Sequence, residues 1–180
     1  VALGRFGKID ILVNNAYRSV RRPFLELSDE DVSSTWSVTL WGVFRCSQAV
    51  ARHMVERKSG GRIVVISSVL SFIPAPTSLA YNTAKAGINQ MAYTIATELA
   101  PHRILVNVIE PGATDTPGER KFATEEQLRA LGEKLPLGRR ARADEIGKMA
   151  AYLASDAADY ITGSCFRVDG GIWLPGGFPV

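Results

Sequence analysis

The chain has 180 residues, of which 46% are hydrophobic, enough for one domain with a sizeable core. The formal charge is only +3, and neither basic run (Arg18–Arg22, Arg139–Arg142) interleaves aromatics, so no nucleic-acid partner is expected. No apolar stretch reaches the ~18 residues of a membrane span, and the two cysteines, Cys46 and Cys165, lack metal-ligand spacing, so neither a membrane partner nor a metal is expected.

Residues 1–7 look like the end of a helix, and a strand follows at about Ile9 to Val13. Arg18 to Leu27 reads as a polar loop. Ser28, followed by Asp29-Glu30-Asp31, is a helix start with a serine cap and acids in the first turn. Val32, Trp36, Leu40, Val43, Phe44 and Val50 carry helical periodicity through about Arg57, and Ser59-Gly60-Gly61 stops it. A strand from Arg62 to Ser67 and a long helix from about Leu79 to Leu99 come next, with Pro101 just beyond. Ile104–Val108 is a strand, Glu125–Leu131 a short helix, Ala143–Ala154 a helix and Ser164–Val168 the last strand. Such alternation implies parallel strands between helices. Cys46, in a helix, and Cys165, in a strand, read as small buried hydrophobes.

Tyr81 and Lys85 stand one helical turn apart, so phenol and ammonium share a face. A fixed cation near a phenol favours phenolate and lowers its pKa, giving a proton donor and acceptor usable near neutral pH. Ser68 ends an apolar strand thirteen positions earlier, where its hydroxyl can reach the same substrate oxygen.

These residues keep ordered company: Ile11-Leu12-Val13-Asn14-Asn15-Ala16, the segment Asn107 to Thr116 containing Pro111-Gly112, Leu135-Pro136-Leu137-Gly138-Arg139 before Asp144-Glu145-Ile146, and Val168-Asp169-Gly170-Gly171. By these motifs the chain resembles the short-chain dehydrogenase/reductase family over nearly its whole length. Glu110 to Phe122 and Asp169 to Trp173 look most like the glucose 1-dehydrogenase-type members. The resemblance implies a Rossmann-like, doubly wound α/β fold with helices on both faces. It implies an enzyme using NAD or NADP to move a hydride between a nicotinamide and an alcohol or carbonyl of a small molecule. A homo-oligomer, dimer or tetramer, in the cytoplasm is expected, with the two long helices at a subunit interface.

By the same resemblance Tyr81 is the general acid/base, Lys85 lowers its pKa and holds the nicotinamide ribose, and Ser68 binds the reacting oxygen. Asn14 and Ala16 line the cofactor, and Pro111, Gly112, Thr114 and Thr116 border the nicotinamide, where glycine permits close approach. The segment Thr114 to Gly132 resembles the family's substrate-binding lid. Thr39 stands where the family often has an asparagine that anchors a water in the proton relay. Tyr17 stands where the family has a glycine, and its phenol is expected near the pocket mouth.

No glycine-rich phosphate loop occurs near the N-terminus, although such folds open with one. Residues 1–180 are therefore expected to be the C-terminal two thirds of a single domain, exposing the strand edge where further strands would pair. Two other readings stay open: a 3-oxoacyl carrier-protein reductase or other carbonyl reductase, which shares the catalytic residues, and a non-catalytic interaction subunit.

Overall fold

Short β-branched runs alternate with helical stripes, and the chain folds accordingly. The computed structural model describes residues 1–174. In chain order the elements are α1 (Ala2–Phe6), β1 (Ile11–Asn14), α2 (Asp29–Thr39), α3 (Trp41–Arg57), β2 (Gly61–Ile66), α4 (Leu79–Leu99), β3 (Ile104–Pro111), β4 (Thr114–Asp115), α5 (Glu125–Lys134), β5 (Ala141–Arg142), α6 (Ala143–Leu153) and β6 (Cys165–Val168).

The main sheet has the order β1-β2-β3-β6, and every pair is parallel. The central strands β2 and β3 are buried on both faces, which explains their largely apolar character. Ile63, Val65, Val106 and Val108 face α3 and α4, where Val43, Ala51, Met54, Ile88, Ala92 and Ala96 complete one core. Val64 and Ile109 turn the other way and pack on Ile146 and Leu153 of α6. The expected Rossmann-like arrangement, a parallel sheet with helices on both faces, is therefore present. Strand order advances in one direction while α4 and α6 occupy opposite faces. The two crossovers that contain them consequently have opposite hands, although ~98% of such connections are right-handed.

β1 is an edge strand, with β2 its one partner among the described residues. Ile11 and Val13 on it are 47% and 44% exposed. Unpaired, apolar strand edges of this kind invite association.

The structure departs from the expected elements in three places. The helix expected from Ser28 to Arg57 is two helices, broken at Leu40. Thr35 and Thr39 are fully buried in α2, and their hydroxyls bond the backbone of the loop at Val20 and Arg18. The break turns α3 down onto the sheet while α2 stays against that loop. Cys46 is exposed, contrary to expectation. The buried stripe of α3 is Val43, Ser47, Ala51 and Met54, and Cys46 falls outside that spacing. The third departure is a two-stranded parallel sheet, β4 with β5, that the sequence did not suggest. It fastens the base of the excursion from Gly112 to Arg140, helped by ion pairs from Asp115 to Arg120 and Arg140.

Candidate active site

The C-terminal ends of β1, β2 and β3 open into a cavity of about 610 Å³. Val13, Ser67 and Pro111 mark the three strand ends on its wall, and the crevice outside the carboxyl ends of parallel strands is where open α/β sheets bind ligands. Ser68, Tyr81 and Lys85 line this one cavity, so the structure brings the expected triad together.

Each arrives by a different local route. Ser68 leaves β2 and caps the short 3-10 turn Val69–Ser71, its oxygen accepting from the Leu70 N–H at 3.1 Å. The hydroxyl proton is left to the Tyr81 oxygen or to a ligand oxygen beside it. The rival Ser67 donates its own to the Lys85 carbonyl at 3.3 Å. Tyr81 and Lys85 ride on α4, whose buried stripe Ala80, Ala84, Ile88, Ala92 and Ala96 consists mostly of alanines and brings the helix close to the sheet. Lys85 is 3% exposed, and its Nζ donates to the Ile66 carbonyl at 2.6 Å, 5.4 Å from the Tyr81 ring centre.

Burial dominates the electrostatics. It drives the Tyr81 phenol above its ordinary range, with the neighbouring Ser68 hydroxyl the strongest influence downward. The sequence expectation was that Lys85 would lower this pKa, but burial depresses Lys85 itself, to about 7. Its ionisation is thus poised near neutrality. A lysine that is easier to deprotonate when folded lets the unfolded chain bind the extra proton between pH 7 and 10.5. The penalty is therefore full below pH 7, shrinks by up to about 1.4 kcal/mol per pH unit as pH rises, and vanishes above 10.5. Replacing Lys85 by Met should consequently stabilise the protein most at pH 6–7, with the gain fading toward pH 10. Urea unfolding of both proteins across that range checks this, and a pH-independent difference would contradict a buried ionisable amine.

The remaining expected residues divide. Pro111, Gly112, Thr114 and Thr116 all line the cavity. The need for glycine at 112 is internal, however: a Cβ there would lie 2.7 Å from the backbone of Asp169. Asn14 and Ala16 do not line it, whereas Val13, Asn15 and Tyr17 do. Side chains alternate along a strand, so Asn14 points with Leu12 toward α3 and donates to Ser47 Oγ at 3.0 Å. Thr39 does not face the cavity either. Its hydroxyl accepts from the Arg18 N–H at 2.9 Å and donates to the Arg18 carbonyl at 2.8 Å. With its one proton committed, Thr39 braces the loop after β1 instead of presenting a free hydroxyl to a water.

Tyr17 does reach the mouth. Its ring meets Tyr81 edge-on at 5.9 Å, and its hydroxyl lies so close to Gly118 that any side chain there would overlap it. Arg21, beside it in the cavity wall, lies over the Phe122 ring at 3.8 Å and 3.7 Å from Glu119. The loop after β1 and the segment Thr116–Phe122 therefore meet across the opening.

Sequence reasoning missed Glu110, which is 3% exposed beneath the site. Its carboxylate accepts from Ser71 Oγ at 2.6 Å, from Asn89 Nδ2 at 2.7 Å and from Arg167 Nε at 3.3 Å. Ser71 belongs to the Ser68 turn, and Asn89 sits one turn beyond Lys85. One carboxylate thus ties the two elements that carry the triad. The signal was a charged residue directly after Val108-Ile109, near the end of a mostly apolar strand whose other polar residue is Asn107.

The fit to a nicotinamide cofactor can be tested on Lys85. Among the described residues its one hydrogen-bond acceptor is the Ile66 carbonyl, which leaves further N–H donors for ribose hydroxyls in a buried, ligand-sized cavity.

Comparison with known proteins agrees with this geometry. The family profile described as "Enoyl-(Acyl carrier protein) reductase" matches residues 2–173. The uncharacterized oxidoreductase YohF of Escherichia coli K12 is 38% identical over 171 residues, 94% of this chain and 67% of that protein. A short-chain type dehydrogenase/reductase from Mycobacterium marinum superposes with a TM-score of 0.90 at 35% identity, covering 97% of this chain and 68% of the other. A gluconate 5-dehydrogenase from Burkholderia cenocepacia J2315, solved with NADP and tartrate, gives 0.90 at 34% identity over the same shares. On this profile match, this identity and this superposition, the chain belongs to the short-chain dehydrogenase/reductase family of NAD(P)-dependent oxidoreductases.

Proposed function

We propose that the full protein oxidises a secondary alcohol, or reduces the matching carbonyl, on a sugar or related polyol. The observation that carries this reading is the convergence of Ser68, Tyr81 and Lys85 on one cavity at the strand ends. A bound NAD or NADP supplies the hydride exchange, and that chemistry belongs to the cofactor. Tyr81 gives a proton to, or takes one from, the reacting oxygen. Ser68 donates a hydrogen bond to the same oxygen. Lys85 holds the nicotinamide ribose and, when charged, opposes the burial that raises the Tyr81 pKa.

Residues 1–180 act in this reading as the C-terminal two thirds of one domain, supported by coverage of 67–68% of each relative. The open edge of β1 supports it too. Among the described residues no helix is long and apolar enough to cross a membrane. The groove between α3 and α4, walled by Phe44, Ala51, Val55, Ile95 and Leu99, supports assembly as a dimer or tetramer.

The likeness to glucose 1-dehydrogenases rests on sequence alone. A second reading, a 3-oxoacyl carrier-protein reductase, draws support from the acyl-carrier-protein wording of the family profile. A panel of polyols, sugar acids and acyl thioesters, run on the full-length protein with NAD and NADP, separates them. Turnover of the thioesters alone would overturn the sugar reading.

A further inference from the structure

Arg21 is the unusual charge in the cavity. Its guanidinium has five N–H donors, yet among the described residues it makes no hydrogen bond. Its nearest carboxylate, Glu119, stands at 3.7 Å, beyond hydrogen-bonding distance. The Phe122 ring covers one face of the guanidinium at 3.8 Å. Stacking of this kind fixes the plane and leaves the N–H edge for a partner, and a planar fork of donors matches a carboxylate. The side chain is 32% exposed, so the edge is partly shielded from water and still reachable.

The surroundings select the sign of the ligand. Apart from its tyrosines, the ionisable residues of the cavity wall are Arg21, Lys85 and Glu119; Lys85 is poised near neutrality, so Arg21 is the permanent cation among them. The same loop also carries Arg18 and Arg22, neither of which lines the cavity. Arg22 is already held at 3.0 Å by Asp31. Arg21 is therefore the cation available to a ligand whose reacting oxygen lies at Ser68 and Tyr81.

We propose that the substrate is a hydroxy or keto acid, and that Arg21 binds its carboxylate by taking over the position that Glu119 now approaches. The proposal rests on the oxidoreductase reading above and narrows its sugar or polyol substrate to the acid-bearing relatives, the sugar acids and their keto forms. Glu119 lies on the excursion over the cavity, so the exchange of one carboxylate for another links substrate entry to that segment. Tyr17, edge-on to Tyr81, separates the acid-binding end from the reacting end and limits the width of what passes.

The test uses the full-length enzyme with matched pairs, C4–C6 hydroxy acids and the polyols of equal length. The wild type should favour the acids in kcat/KM. Arg21→Gln should lower the acid-to-polyol ratio of kcat/KM at least ~10-fold, the loss expected for one charge-assisted hydrogen bond, with the change in KM for the acids. Arg21→Lys should restore part of the ratio, and Glu119→Gln should raise it by removing the competing carboxylate. Wild-type turnover of polyols with no preference for acids would overturn the anion site alone, as would a ratio unmoved by Arg21→Gln. No turnover of any alcohol or carbonyl would overturn the parent reading and this proposal together.

Discussion

Tyr81→Phe in the full-length protein should lower turnover by more than ~10²-fold, the scale of lost general acid/base catalysis. The ring stays, so its edge contact with Tyr17 and its place above Lys85 persist. Only the proton-transferring oxygen is removed, and thermal stability should hardly change. The pH dependence gives a second check. Burial raises the phenol's pKa, so the base form grows as pH rises and oxidation should accelerate on the alkaline side. Reduction needs the protonated phenol and should fall over the same range. Both trends should vanish in Tyr81→Phe. Near-normal turnover of this variant would remove Tyr81 from proton transfer.

Glu110→Ala should be the most damaging change outside the triad. It leaves the Ser71 and Asn89 donors without their acceptor in a buried site. Arg167 is less affected, because its side chain is 44% exposed and can find water. Two stranded donors at about 1–2 kcal/mol each give a loss of about 2–4 kcal/mol. Glu110→Gln keeps an acceptor oxygen and should recover part of it. Urea denaturation of the three proteins measures the ranking. Equal stability of all three would mean that the carboxylate does not tie the Ser68 turn to α4.

What could be read from the sequence depended on whether a residue's job was local. Helix α4 was legible to the residue, Leu79–Leu99, because its small-residue stripe and the following Pro101 are local signals. The triad was legible because spacing along one strand and one helix fixes where Ser68, Tyr81 and Lys85 emerge. Asn14 was assigned to the cavity because a motif names residues without saying which side of the strand they take. The alternation of the strand sends Asn14 to Ser47 and gives the cavity to Val13 and Asn15. Thr39 was judged by analogy with an asparagine, and only its contact with Arg18, twenty-one residues away, shows what its hydroxyl does. Glu110 and Arg21 act through partners distant in the chain, and a burial-driven pKa such as that of Lys85 depends on the packed environment.

The opposite placement of α4 and α6 gives the two faces of the sheet separate apolar compartments with no side chain in common, and a third, smaller cluster of Val69, Ile73, Leu135 and Ile172 lies beside the site. The chemistry-bearing helix belongs to one of them. The excursion from Gly112 to Arg140, which closes over the opening, leads into the other. Substitutions that reshape that excursion therefore spare the apolar bed beneath α4, and they reach the triad only through Tyr17, which touches both Gly118 and Tyr81, and through Leu135, which packs with Val69. New substrates can be tried by evolution on a fixed reaction centre, and variation should accumulate between Thr116 and Leu131 long before it reaches the alanine stripe of α4.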